Sequence, residues 1–224
     1  MMDILHSDGA HGLSYRVRPA AGRPVGRLFL LHGVGGNETN LASIAQDLDP
    51  RIELVFVRGP LALGSGQYAW FQVRFTPQGS VINPAQAEDS RERLLALVRS
   101  LGLADAHAPV PALMAGFSQG GIMSASVALS APDDISRFAI LSGRILPELE
   151  PHLASPEKLA KVRALVIHGQ YDDKLPVALA AQSDALLTRL GVSHDTRLYP
   201  VGHALNADIV NDFSRWVDQQ LHLN

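Results

Sequence analysis

An α/β fold, with a mostly parallel sheet covered by helices on both faces, is what this chain of 224 residues predicts. Three observations predict it. Short continuous apolar runs alternate with segments of helical spacing, as strands buried on both faces require. Several of those runs stop at a glycine, as in Leu28-Phe29-Leu30-Leu31 before His32-Gly33 and Ala164-Leu165-Val166-Ile167 before His168-Gly169. Finally, Gly116-Phe117-Ser118-Gln119-Gly120 joins an apolar run to a helical one through a tight turn.

Taken in order, Leu13 to Arg18 reads as an early edge strand followed by a Pro/Gly turn, and Leu28 to Leu31 as a buried strand. Leu41 to Leu48 has the spacing of a short helix, and Leu54 to Val57 is the next strand, ending at Gly59-Pro60. Leu61 to Asn83, with Gly64, Gly66, Pro77 and Gly79, reads as a long loop carrying Tyr68, Trp70, Phe71 and Phe75. Loops of that length in compact domains are usually functional. Pro84 to Ser100 is an amphipathic helix with a stop at Gly102. The strand at Ala112 to Ala115 leads through the tight turn into a helix containing Ile122, Met123, Val127, Ala128 and Leu129. Phe138 to Leu141, Ala164 to Ile167 and Thr196 to Tyr199 are further strands. Val177 to Leu190 is a helix stopped by Gly191. Ala207 to Leu221 is a last helix, with Ile209, Val210, Phe213, Trp216 and Val217 on its apolar side.

We expect one domain over residues 1–224, with 1–26 as an N-terminal edge-strand region. The segment from Ser142 to Lys161 is too short for a cap domain, which implies an open cleft. Hydrophobic residues make up 46% and charged residues 18%, which suits a well-buried core. Net charge is −3 with no long run of one sign, so a nucleic-acid partner, which needs a basic face, is not expected. With no cysteine, disulfides, thiolate–zinc sites and a cysteine nucleophile are excluded. The segment Met1 to Asp8 shows neither a basic nor an apolar signal region, and no apolar stretch is long enough to span a bilayer. A cytoplasmic protein without stable membrane insertion is the expectation.

A serine in a Gly-x-Ser-x-Gly turn between strand and helix is the nucleophile elbow of α/β-hydrolases. Side chains do not fit at the flanking positions, so glycine stands there. The helix N-terminus behind Ser118 favours developing negative charge. A serine at its free pKa is a poor nucleophile, and needs a base held by an acid. In this fold the order along the chain is Ser, then Asp or Glu, then His. Gln170-Tyr171-Asp172-Asp173 puts two carboxylates just past a strand end, and Val201-Gly202-His203 puts an imidazole in the loop before the final helix. His32 and His168, at strand ends, read as structural. His6, His11, His107, His152, His194 and His222 read as solvated. No spacing suits a metal, and no cofactor is expected. An oxyanion hole needs two backbone donors. The candidates are the N–H of Gln119, next to the nucleophile, and that of Val34 in His32-Gly33-Val34-Gly35-Gly36.

Together these motifs resemble the phospholipase/carboxylesterase family of α/β-hydrolases, which includes acyl-protein thioesterases and small bacterial carboxylesterases. The matching residues are His32-Gly33-Val34-Gly35, Trp70-Phe71, Gly116-Phe117-Ser118-Gln119-Gly120-Gly121, Leu141-Ser142-Gly143, His168-Gly169 with Asp172 and Pro176, and Gly202-His203. The resemblance implies Ser118 as nucleophile, Asp172 rather than Asp173 as the orienting acid, and His203 as base. Trp70, Phe71 and Arg144 become candidates for substrate contact. Arg144 stands where the family often carries an aromatic or apolar residue, and its other candidate partners are Glu148 and Glu150.

The function this implies is hydrolysis of carboxylic esters or thioesters through an acyl-enzyme on Ser118, without a cofactor, on a small-molecule substrate. A lysophospholipase or acyl-protein thioesterase is the alternative within enzymes. A non-catalytic binding protein on the same fold is the alternative from another class. A homodimer is compatible with the composition.

Overall fold

The computed structural model describes residues 3–9, 11–76, 79–103 and 110–223. Met1, Met2, Pro77 and His107 therefore lie outside the described residues.

The first strands are β1 (His6–Asp8), β2 (Leu13–Arg18), β3 (Gly26–Leu31) and β4 (Ile52–Arg58). Two small hairpins follow, β5 (Leu61–Gly64) with β6 (Gln67–Ala69), and β7 (Val73–Thr76) with β8 (Gly79–Ile82). Helix α1 (Pro84–Leu103), strand β9 (Ala112–Phe117), helix α2 (Gln119–Ser130) and strand β10 (Arg137–Leu141) come next. The rest is α3 (Pro156–Leu159), β11 (Arg163–Gly169), α4 (Ala178–Arg189), β12 (Ser193–Tyr199) and α5 (Ala207–Gln220).

Eight strands form one sheet in the order β1-β2-β4-β3-β9-β10-β11-β12. From β4 to β12 every neighbouring pair is parallel, whereas β2 runs antiparallel to β4 and β1 antiparallel to β2. The apolar runs split cleanly by parity. Phe29 and Leu31 of β3 face a core shared with Leu94 of α1, Met123 of α2 and Leu187 of α4, while Leu28 and Leu30 face one shared with Phe213 and Trp216 of α5. Both faces are covered, which is why the run Leu28–Leu31 of β3 is apolar on both sides. Burial of Ile209, Phe213 and Val217 fixes α5 to the sheet, each contributing about 1.5–3 kcal/mol.

The α/β class expected from the sequence is thus what the chain adopts, with several local differences. The strand at Leu13–Arg18 is second in the sheet, because His6–Asp8 pairs outside it and the His6 ring stacks on Tyr15 with centroids 5.2 Å apart. The helix expected over Leu41 to Leu48 is a series of turns with one 3-10 turn at Ile44–Asp47. Upstream, the side chains of Asn40 and Asn37 accept from the backbone N–H groups of Asn37 and Thr39, and such bonds compete with helix formation. The expected loop from Leu61 to Asn83 is largely the two hairpins. Helix α1 runs through Gly102, which does not adopt the left-handed conformation of a helix stop. Gly191 does adopt it, with φ +70°, and ends α4. His11, expected in solvent, is buried, and its Nδ1 accepts from the Leu13 N–H at 3.2 Å.

Candidate active site

Strand β9 delivers Ser118 at the carboxyl edge of the sheet, between β3 and β10. Its φ of 54° and ψ of −116° lie outside the regions a side chain normally occupies, a strain that persists only where the surroundings enforce it. They do so here. The Ser118 N–H donates to the Leu141 carbonyl at 2.8 Å, and its carbonyl accepts from the Ile122 N–H at 3.1 Å. A Cβ on Gly116 would collide with the backbone of Gly120, and one on Gly120 with the carbonyls of Leu31 and His32. The turn therefore packs α2 directly on β3 and β9.

The acid and base loops leave the ends of β11 and β12. They are tied together by backbone, Gln170 N–H to the Tyr199 carbonyl at 2.7 Å and Tyr171 N–H to the Val201 carbonyl at 3.0 Å. Their glycines let them touch, since a Cβ on Gly169 would strike the carbonyls of Gly202 and Val201. Asp172 is buried, and its Oδ1 accepts from the N–H groups of Lys174 at 2.9 Å and Leu175 at 2.8 Å. Its Oδ2 lies 2.6 Å from His203 Nδ1, and His203 Nε2 lies 3.0 Å from Ser118 Oγ. A carboxylate only accepts, so Nδ1 carries the proton and Nε2 is left to accept from the serine hydroxyl. Asp173, one residue on, is exposed and faces Lys174. His168 is fully buried behind Asp172, donating from Nε2 to the Leu175 carbonyl at 2.7 Å.

Gly33 packs beside Ser118, where a Cβ would stand 3.3 Å from the serine Cβ. Val34 follows it and lines the same cavity as Ser118, Gln119 and His203. Neither the Val34 nor the Gln119 N–H donates to an acceptor among the described residues. The loop carrying Val34 is pinned from behind. Gly35 and Gly36 bond to the backbone of Tyr68, and Glu38 is gripped by Arg58 and Arg16. Burial pushes the Glu38 carboxyl up, but the bonds from Arg58 and Arg16 outweigh it and hold it at about 2. Burial lowers the pKa of His32, whose ring bridges the Gly33 carbonyl and the Gly59 N–H.

The cavity holds about 310 Å³. Phe71, Phe117, Val73, Ile82 and Ile122 make its apolar wall, and Arg144 and Lys174 also line it. Trp70 does not line it. That side chain is fully buried behind the wall, where its indole N–H donates to the His32 carbonyl at 2.8 Å. The expectation of a Trp70 substrate contact is corrected accordingly, because the ring is consumed in holding the His32 loop. Val73 and Ile82 were missed. The alternation in Val73-Arg74-Phe75-Thr76 and the glycine at Gly79 were the available signals of a hairpin. Among the described residues, no cluster of three His, Asp or Glu could hold a metal ion, and no helix is long and apolar enough to cross a membrane.

The sequence model of the phospholipase/carboxylesterase family matches residues 15–221. The chain is 25% identical over 162 residues to carboxylesterase SOBER1 of Arabidopsis thaliana, covering 70% of each. Among solved structures it is similar to a carboxylesterase from Mesorhizobium loti, with a TM-score of 0.78, 25% identity and 96% and 99% of the two chains covered. Acyl-protein thioesterase 2 of Zea mays shares the fold, with a TM-score of 0.74 at 20% identity, over 92% and 98%.

Proposed function

The chain belongs to the phospholipase/carboxylesterase family, a group of ester and thioester hydrolases, and from that premise we propose that Ser118, His203 and Asp172 are its catalytic triad. Ser118 Oγ attacks the acyl carbon as its proton passes to His203 Nε2. The oxyanion is held by the N–H groups of Val34 and Gln119. As the tetrahedral intermediate collapses, the bond to the leaving oxygen or sulfur breaks, and that atom takes the proton from His203. Water then attacks the acyl-enzyme with His203 again as base, and the acid is released. Asp172 keeps the imidazole in the tautomer that accepts from serine.

The observation that carries this reading is the continuous Asp172–His203–Ser118 contact chain opening onto an apolar cavity. At about 310 Å³ that cavity is at the small end for ligand sites, which run from about 300 to 1,000 Å³. Short or medium acyl chains fit such a volume. The test is hydrolysis of p-nitrophenyl esters from acetate to palmitate, with Ser118→Ala alongside and a fluorophosphonate label on both proteins. Loss of activity and label in the variant, with an optimum at short or medium chains, is expected. A wild-type protein that neither hydrolyses an ester nor takes the label would be a binding protein on this fold.

A further inference from the structure

Arg144 stands out among the arginines of the interior. Arg16 and Arg58 grip Glu38, Arg91 holds Glu88 and Ser130, and Arg18 donates to the carbonyls of Ala45, Asp49 and Ile52. Arg144 makes no hydrogen bond or ion pair among the described residues; its buried Nε lacks a partner, as do those of Arg18 and Arg137, but those two arginines bond through their terminal nitrogens and Arg144 does not. Among the described residues neither Glu148 nor Glu150, the pairing candidates nearest in sequence, makes a hydrogen bond or ion pair with it. A guanidinium presents five donors, and leaving one buried and unbonded is costly.

The backbone holds this residue at the reacting serine. Ser142 takes a left-handed φ of 53°, and its N–H is bonded to the Ile167 carbonyl at 2.8 Å. Gly143 then passes so near the elbow that a Cβ there would stand 2.9 Å from the Ser118 carbonyl oxygen. On the other side the Ile145 N–H is fixed to Ser183 Oγ at 3.2 Å. Arg144 is thus suspended between two anchored neighbours, in the wall that separates the Ser118 cavity from a second cavity of about 360 Å³ beside α4. Strain of the Ser142 kind is kept where a site has use for it.

Among the described residues no Asp or Glu lines the Ser118 cavity, whose charged lining residues are Arg144 and Lys174. Lys174 is exposed and reaches Asp173 only across 3.3 Å, a surface pair that a ligand can displace. The second cavity, by contrast, already has Glu150 and Arg189 facing it.

We propose that Arg144, assisted by Lys174, is an anion subsite of the active-site cavity, and that the preferred esters carry a free carboxylate a few bonds from the scissile carbonyl, as in half-esters or half-thioesters of short dicarboxylic acids. This deepens the esterase reading and rests on it. A planar carboxylate matches the guanidinium fork, and apolar walls strengthen the pair.

The test compares release of nitrophenolate from mono-p-nitrophenyl glutarate and from its methyl-capped, neutral counterpart. The readout is the anionic-to-neutral ratio of kcat/KM. Arg144→Gln lowers that ratio about tenfold or more, the loss of a charge-assisted bond pair, whereas Arg144→Lys keeps part of it and checks folding. Lys174→Gln lowers it about threefold, as does raising salt from about 50 to 500 mM in the wild type. An unchanged ratio in Arg144→Gln overturns the proposal. Wild-type protein that cleaves neither ester overturns the esterase reading instead. Calorimetric titration with glutarate then decides the subsite alone: binding lost in Arg144→Gln upholds it, and no binding to the wild type overturns it.

Discussion

The side-chain amide of Gln119 donates from Nε2 to the Phe71 carbonyl at 2.7 Å, while its Oε1 accepts from the Trp70 N–H at 3.0 Å. A residue that lines the cavity, and whose backbone N–H is the proposed oxyanion donor, thus also clamps the segment that supplies the cavity wall. The two roles are separable, because only the second needs the side chain.

Gln119→Ala keeps the backbone donor and frees the Phe71 segment. Two buried backbone groups lose their partners, and each unsatisfied group costs about 1–3 kcal/mol. The expected outcome is a lower Tm and a raised KM for medium-chain esters, with kcat changed far less. A fall in kcat alone would point instead to damage at the oxyanion donors.

Asp172→Asn should lower kcat by about 10³–10⁴-fold, because an amide at this position no longer selects the tautomer that accepts from serine. Asp173→Asn alters an exposed carboxylate paired only with Lys174, and its kcat should stay within about threefold of wild type. Steady-state kinetics on one short ester distinguishes the two, and reversed outcomes would transfer the role to Asp173.

Glu38 offers a pH-dependent test. Its folded value of about 2 lies below the ordinary 4.5, so its stabilisation is fully present above about pH 4.5 and disappears as pH falls towards 2. Glu38→Gln leaves Arg16 and Arg58 without their carboxylate, which should cost about 3 kcal/mol at pH 7. Urea denaturation at pH 7, 4 and 3 should show the gap between wild type and variant narrowing as pH falls. A constant gap would mean that the Glu38 charge is not what is lost.

Gly120→Ala tests the elbow as a packing device. The added methyl meets the Leu31 and His32 carbonyls, which belong to the sheet and its loop and cannot swing aside. Severe destabilisation or failure to fold is expected, read by circular dichroism. Gly35→Ala meets no atom within 4 Å, but its φ of +77° still strains an alanine, so a milder loss of stability is expected there.

Much of the fold was legible in the sequence because both faces of the sheet are covered. A strand buried on two sides carries a continuous apolar run, and the runs Leu28–Leu31, Ala112–Ala115, Phe138–Leu141 and Ala164–Ile167 announce β3, β9, β10 and β11 that way. The weaker elements are those whose partners are distant or few. The hairpins between Leu61 and Ile82 read as loop because short, half-exposed strands alternate with polar residues and glycines. The 3-10 turn at Ile44–Asp47 carries helical spacing, yet the chain just before it is held in turns by Asn37 and Asn40, whose side chains accept from the Thr39 and Asn37 N–H groups.

The sequence by itself determined the kinds of residue available for chemistry and their order: a serine in a glycine elbow, then carboxylates past one strand end, then a histidine past the next. Strand ends of a parallel sheet lie on one edge, so local pattern and chain order already implied a meeting point. Only tertiary packing decided which side chain of a pair turns inward. Asp172 enters the interior and Asp173 does not, because Asp172 alone can accept from Lys174 and Leu175 while reaching His203. Trp70 is withdrawn from the cavity by the His32 carbonyl, whereas Phe71, adjacent in sequence, faces it. Such choices depend on contacts between residues far apart in the chain, which no local spacing records.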